Sequence, residues 1–224
     1  MKRGLENWTL DTIENNEWTT LVEGPCFLTT VLVSNTANSP LNIKMRISDV
    51  YEKETLFYLE PSVDINALNT EKFFIDSLYL HGNKRSPKEN QKIQILASTD
   101  DAQALASGQI VRPNEGLNNW IISDIPDNKW VTVANDASFL TTIAVSNPTN
   151  TDAYISLRIS DVYGKKNIFV LEPSVKIGAL NTERYYVDSL HIRNDKDNVL
   201  DNQIIQIMSS IPGLQALTSG VIRK

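Results

Sequence analysis

The chain has 224 residues, 41% hydrophobic and 21% charged, with a formal net charge of −6. That apolar share supports a folded core and excludes a disordered chain. The acidic balance and scattered Lys and Arg argue against nucleic acid as a partner, since phosphate binding needs clustered basic side chains, and a single cysteine excludes an intrachain disulfide.

The N-terminal run MKRGLENW starts basic, but no apolar stretch follows it, so no secretory signal is expected. No segment approaches the roughly 18 apolar residues of a membrane span. The chain is therefore expected to fold in the cytosol where it is made and to have no membrane partner. Trp8 and Trp18 come next. In a small sandwich such residues cover a core or an edge; exposed, they would form a sugar-stacking platform.

From here the period is two. Phe27, Thr29, Val31 and Val33 can line one face of a strand, with Leu28, Thr30 and Leu32 on the other. Ile43, Met45 and Ile47 alternate with Lys44, Arg46 and Ser48, and Ile93 and Ile95 flank Gln94. Cys26 reads as a small strand residue, because a nucleophile would need a base beside it. Turns fall at Asn35 to Pro40. Glu60-Pro61-Ser62 is expected to interrupt a strand, since proline cannot donate to the ladder. Strands are predicted near 18–23, 26–35, 41–51, 55–60, 70–79, 91–98 and 104–111, with a helical turn allowed near Ala102 to Leu105. Lys84, Arg85 and Lys88 crowd one polar loop, read as a solvated one.

The second half repeats the first. RISDVY, LEPSV, ALNTE and DSL run from Arg46 to Leu78 and again from Arg158 to Leu190, a shift of 112 positions. At that shift 52 of 112 residue pairs are identical, without a gap. A constant offset of this kind marks duplication. Two domains are expected, 1–112 and 113–224, joined by the short Pro- and Gly-flanked run 112–116. Seven short strands per copy predict an all-β protein of two tandem antiparallel β-sandwiches, immunoglobulin-like or jelly-roll-like, related by internal duplication. Gly108 and Gly220, in the last strand of each copy, are expected to mark a bulge or a close backbone approach.

Charged residues kept in both copies are the candidates for a shared site. Arg46, Asp49, Glu60 and Asp76 match Arg158, Asp161, Glu172 and Asp188. Acid–base catalysis needs two carboxylates at a set separation, and nothing local enforces that here. Arg46 and Asp49 are three apart on a strand and so point to opposite faces. These eight are read as docking or loop-stabilising residues, and no catalytic role is assigned. His81 matches Arg193 and His191 matches Tyr79, so neither a triad nor a repeated zinc site is expected. Asn194 to Asn198 looks superficially like a calcium loop but lacks its glycine and its bidentate Glu. There is no phosphate-binding glycine loop. The expectation is no enzyme, no metal and no cofactor.

The order of segments carries a resemblance. A strand ends in Val33-Ser34-Asn35 or Val145-Ser146-Asn147, and RISDVY follows. Asn-Gln-x-Ile-Gln-Ile comes later, at Asn90 to Ile95 and Asn202 to Ile207, and each copy closes on Ala-Leu-x-Ser-Gly. This resembles small β-sandwich domains in tailed-bacteriophage virion structural proteins. The resemblance implies a non-enzymatic particle component, either capsid decoration or part of the neck or tail. Its partners would be other virion proteins in a homo-oligomeric or symmetric assembly, built in the host cytoplasm. A carbohydrate- or surface-binding adhesion module is the second reading, resting on the repeated tryptophans.

Overall fold

Period-two patterning becomes strand along most of the described residues. The computed structural model describes residues 4–51, 54–82, 90–111, 117–135, 139–193 and 198–222. The chain divides into two units, Met1–Glu115 and Gly116–Lys224.

Among its described residues the first unit forms eight strands: β1 (Gly4–Leu10), β2 (Thr19–Glu23), β3 (Cys26–Asn35), β4 (Leu41–Asp49), β5 (Thr55–Ile65), β6 (Thr70–Leu80), β7 (Gln91–Ala97) and β8 (Ala102–Ile110). They form two four-stranded sheets, ordered β1-β8-β3-β6 and β2-β7-β4-β5. All pairings are antiparallel. First pairs with eighth, second with seventh, third with sixth and fourth with fifth, as in one long hairpin rolled into two sheets. That is the jelly roll.

The second unit repeats it with β9 (Leu117–Ile125), β10 (Val131–Ala134), β11 (Phe139–Asn147), β12 (Ala153–Asp161), β13 (Asn167–Ile177), β14 (Asn181–His191), β15 (Gln203–Ser209) and β16 (Leu214–Val221). Its sheets are β14-β11-β16-β9 and β10-β15-β12-β13. The strand order selects the jelly roll over the immunoglobulin-like alternative.

In each unit the inward faces of the two sheets meet. Leu28, Val31 and Val33 of β3, Ile43, Met45 and Ile47 of β4, and Ile93 and Ile95 of β7 are all fully buried. In the second unit Leu140, Ile143, Val145, Ile155, Leu157, Ile205 and Ile207 do the same. Burying a side chain of this size contributes about 1.5–3 kcal/mol. The space between the sheets is therefore packed with aliphatic carbon.

Four expectations need correction. Each unit has eight strands, not seven: β1 was missed because most of its residues are exposed, so no buried stripe betrays it. Residues 102–105 open strand β8 and form no helical turn. Pro61 does not break its strand. β5 pairs only with β4 and so lies at a sheet edge, and the register shifts between Ile43 and Met45 where Pro61 passes. An edge bulge needs no N–H from that residue, which is why proline fits there. Last, Phe27 and Thr29 do not share a face with Val31 and Val33. A bulge between Leu28 and Thr30 turns Leu28 inward in step with Val31.

The glycine expectation holds. A Cβ on Gly108 would lie 2.4 Å from the Phe27 carbonyl oxygen, and one on Gly220 2.3 Å from that of Phe139. The bulge brings the two backbones that close, in both units.

A buried asparagine ties the loops at one end of each unit. Asn35 Nδ2 donates to the carbonyls of Ser39, Ile65 and Asn66, and its Oδ1 accepts from the Ala37 N–H. Asn147 makes the matching bonds to Thr151, Ile177, Gly178 and Thr149. One amide thus joins the turn after the third strand to the turn after the fifth.

Candidate functional site

The outward face of the β2-β7-β4-β5 sheet carries the polar cluster that both units keep. Alternation on β4 sends Ile43, Met45 and Ile47 inward and Arg46 and Ser48 outward. By register Thr20, Gln94, Arg46 and Tyr58 form a row across the four strands. Arg46 Nε and Nη2 donate to Gln94 Oε1 at 3.1 and 2.9 Å, and Ser48 Oγ donates to the same oxygen at 2.8 Å. Arg46 Nη1 donates to Thr55 Oγ1 at 2.8 Å. The guanidinium carbon sits 4.1 Å from the centre of the Trp18 ring.

The second unit rebuilds the cluster. Arg158 Nε and Nη2 reach Gln206 Oε1 at 3.0 and 2.8 Å, Ser160 Oγ joins at 2.9 Å, and Trp130 lies 4.0 Å away. Asparagine replaces Thr55 here, at position 167. Arg158 Nη2 bonds the Gly164 carbonyl instead. Gly164 itself has φ +68°, and a Cβ there would meet the Gln206 amide at 2.7 Å.

Gln94 and Ser48 are fully buried and Arg46 is 9% exposed. A charge that far from water needs donors and acceptors on every side. The glutamine oxygen, the hydroxyls and the indole face supply them. The cluster is a rigid brace built on a charged side chain.

Asp49 and Asp161 end the fourth strand of each unit and hold the turn that follows. Asp161 Oδ1 accepts the N–H groups of Lys165 and Lys166 at 2.7 and 2.9 Å. The Lys166 bond holds its carboxyl below the ordinary range; burial opposes it, and the Lys165 bond and the two lysine charges add to the lowering. Asp49 accepts from the Glu54 N–H at 3.3 Å. Glu60 and Glu172 lie on the fifth strands, opposite Met45 and Leu157. Glu60 is 9% exposed. Burial first, then Glu183 and Glu172, push the Tyr185 phenol up to about 12. Asp76 and Asp188 belong to β6 and β14, and their side chains lie outside the described residues, as do residues 194–197 of the calcium-like loop and Lys84, Arg85 and Lys88. The structure therefore brings Arg46 near the start of the Asp49 turn, and Arg158 near that of Asp161.

Sequence reading selected the charged residues and missed their neutral partners: Trp18, Ser48 and Gln94, and Trp130, Ser160 and Gln206. The signal was present. A glutamine flanked by isoleucines recurs in both copies at an outward position, where a lone polar side chain needs no repetition. Trp8 and Trp120, on the first strands, are half-buried, and Trp120 packs on the core of its unit.

Cys26 is fully buried, and burial pushes its thiol up to about 12. Among the described residues no group of three or more His, Cys, Asp or Glu is placed to hold a metal ion.

No family model and no curated protein matches the chain. It is similar to the solved major capsid protein P2 of bacteriophage PM2, at 8% identity and a TM-score of 0.41, covering 99% of both chains. It is similar to the STIV MCP at 11% identity and 0.35, covering 98% of this chain and 97% of that one. An allantoicase structure shares 12% identity at 0.30, over 87% of this chain and 74% of that one. At scores this low the likeness decides neither fold nor activity. The fold stands on the strand order alone.

Proposed function

We infer that the chain is a non-enzymatic structural protein of a virus particle, of the bacteriophage kind, which works by docking to other particle proteins and to its own copies. The observation that carries this is the jelly roll written twice in one chain. Jelly rolls recur in capsid proteins, lectins and cupins, so the step from fold to role is one of analogy. The interior favours the first of these. A cupin uses the space between its sheets for chemistry, whereas here aliphatic side chains fill it. Two similar rigid modules on one chain suit a shell in which related contacts repeat around symmetry axes. The braced outward faces, with Arg46 and Arg158 pinned under their tryptophans, supply surfaces that keep their shape on contact. The particle would assemble in the host cytoplasm, and the chain would serve as capsid decoration or as part of the neck or tail.

Mass spectrometry of purified particles from the source tests this. The chain should appear in many copies per particle and localise by cryo-electron microscopy to the shell, neck or tail. Its absence from particles overturns the reading.

The adhesion reading loses its tryptophan platform at Trp18 and Trp130, because an arginine covers one face of each ring.

A further inference from the structure

On the outward face of the β1-β8-β3-β6 sheet, three strands frame an open groove of about 400 Å³. We propose that this groove in the first unit binds a neutral glycan. Leu5, Gln109 and Phe27 stand side by side across β1, β8 and β3, and Asn7 and Ser107 form the next row. The bulge at Leu28 and the bare Gly108 beside it shape the floor. Ser107 Oγ donates to Asn7 Oδ1 at 2.7 Å, which leaves the Asn7 amide nitrogen as a donor. Thr29 Oγ1 is held by the Ser107 carbonyl at 3.2 Å.

The chemistry of this lining selects the ligand. Phe27 offers a ring for the apolar face of a sugar. Adjacent hydroxyls each donate and accept, and amides such as Gln109 and Asn7 match that. Among the described residues the lining has no Lys or Arg to pair with a phosphate or sulfate. The volume is that of a small-ligand site.

The second unit is the internal comparison. There the counterparts of Asn7 and Ser107, Asn119 and Ser219, are buried at 9% and 1% exposure. The positions of Glu6 and Gln109 hold Asn118 and Val221. Phe27, Thr29 and Gly108 are kept as Phe139, Thr141 and Gly220. So the scaffold is common to both units, while Gln109 occurs only in the first.

The test is a ¹H–¹⁵N NMR titration of the full chain with lactose, cellobiose and N,N′-diacetylchitobiose. Saturable shifts are expected for at least one sugar, centred on the Asn7 and Gln109 side-chain amides and the Gly108 N–H. Gln109→Val places in the first unit the residue that the second unit carries, so it should keep the native spectrum while weakening binding about tenfold. No saturable shift with any of the three sugars overturns the proposal, as do shifts centred elsewhere or full affinity in Gln109→Val. This outcome is read independently of particle composition, so the virion reading stands or falls by its own experiment.

Discussion

Gly108 passes so close to Phe27 that a single added carbon would lie 2.4 Å from the Phe27 carbonyl oxygen. The neighbour is backbone and cannot rotate away. Gly108→Ala should therefore displace the bulge of β3 and cost about 1–3 kcal/mol, the usual penalty of an overfilled site. Gly220→Ala should do the same in the second unit. Urea unfolding of each variant measures it, and unchanged midpoints would count against the close approach.

Arg158 braces its sheet through Gln206 and Trp130. Arg158→Ala strands the buried Gln206 oxygen with one remaining partner and uncovers the indole, for a loss of about 2–3 kcal/mol. Arg158→Lys should recover only part of it. An ammonium on a flexible stem does not reproduce the planar stack or the paired Nε and Nη2 contacts. Comparing the urea midpoints of the two variants checks the order.

Asn35 donates to three carbonyls through one amide nitrogen. Asn35→Asp keeps the size but replaces the donor with an oxygen that faces those carbonyls. At neutral pH the loss should reach about 3 kcal/mol, because buried acceptors are left unmatched and a charge is buried with them. Hydrogen exchange of the Leu68 amide, which donates to Ala37 across the same pair of loops, should speed up in this variant. An unaltered rate would mean that the loops hold together without the clamp.

Asp161 has a lowered folded pKa, so the unfolded chain binds its proton first as pH falls. Its contribution to stability is present above the ordinary value of 3.8 and disappears as pH drops from there through the lower folded value. Asp152, lowered by its pairing with Lys176 and its bond from Ala179, acts in the same direction. Stability measured from pH 5 down to about pH 2 should fall, and Asp161→Asn should flatten the slope. An equally steep fall in that variant would assign the acid sensitivity elsewhere.

Much of the fold was legible because apolar alternation and a constant offset are properties of the chain itself. Ile43, Met45 and Ile47 point inward as their spacing demands, and the same spacing works in the second copy. What failed was local. Thr29 and Pro61 sit at bulges, where one extra residue reverses every later side chain, and only the partner strand reveals where that happens. Leu68 and Leu180 take φ of 53° and 52°, a conformation that glycine or asparagine would advertise and leucine does not. In the candidate site, charge drew attention to Arg46 and Asp49, while Trp18, Ser48 and Gln94 were hidden because each is ordinary alone. Their meeting depends on strands far apart in the chain.

The pairing of Gly4 with Ile110 has an evolutionary corollary. Each sandwich starts and finishes on adjacent strands at the same rim. A gene for such a module can be copied in tandem, or cut and rejoined in a permuted order, without threading the chain through a finished body. Concatenation is then topologically free.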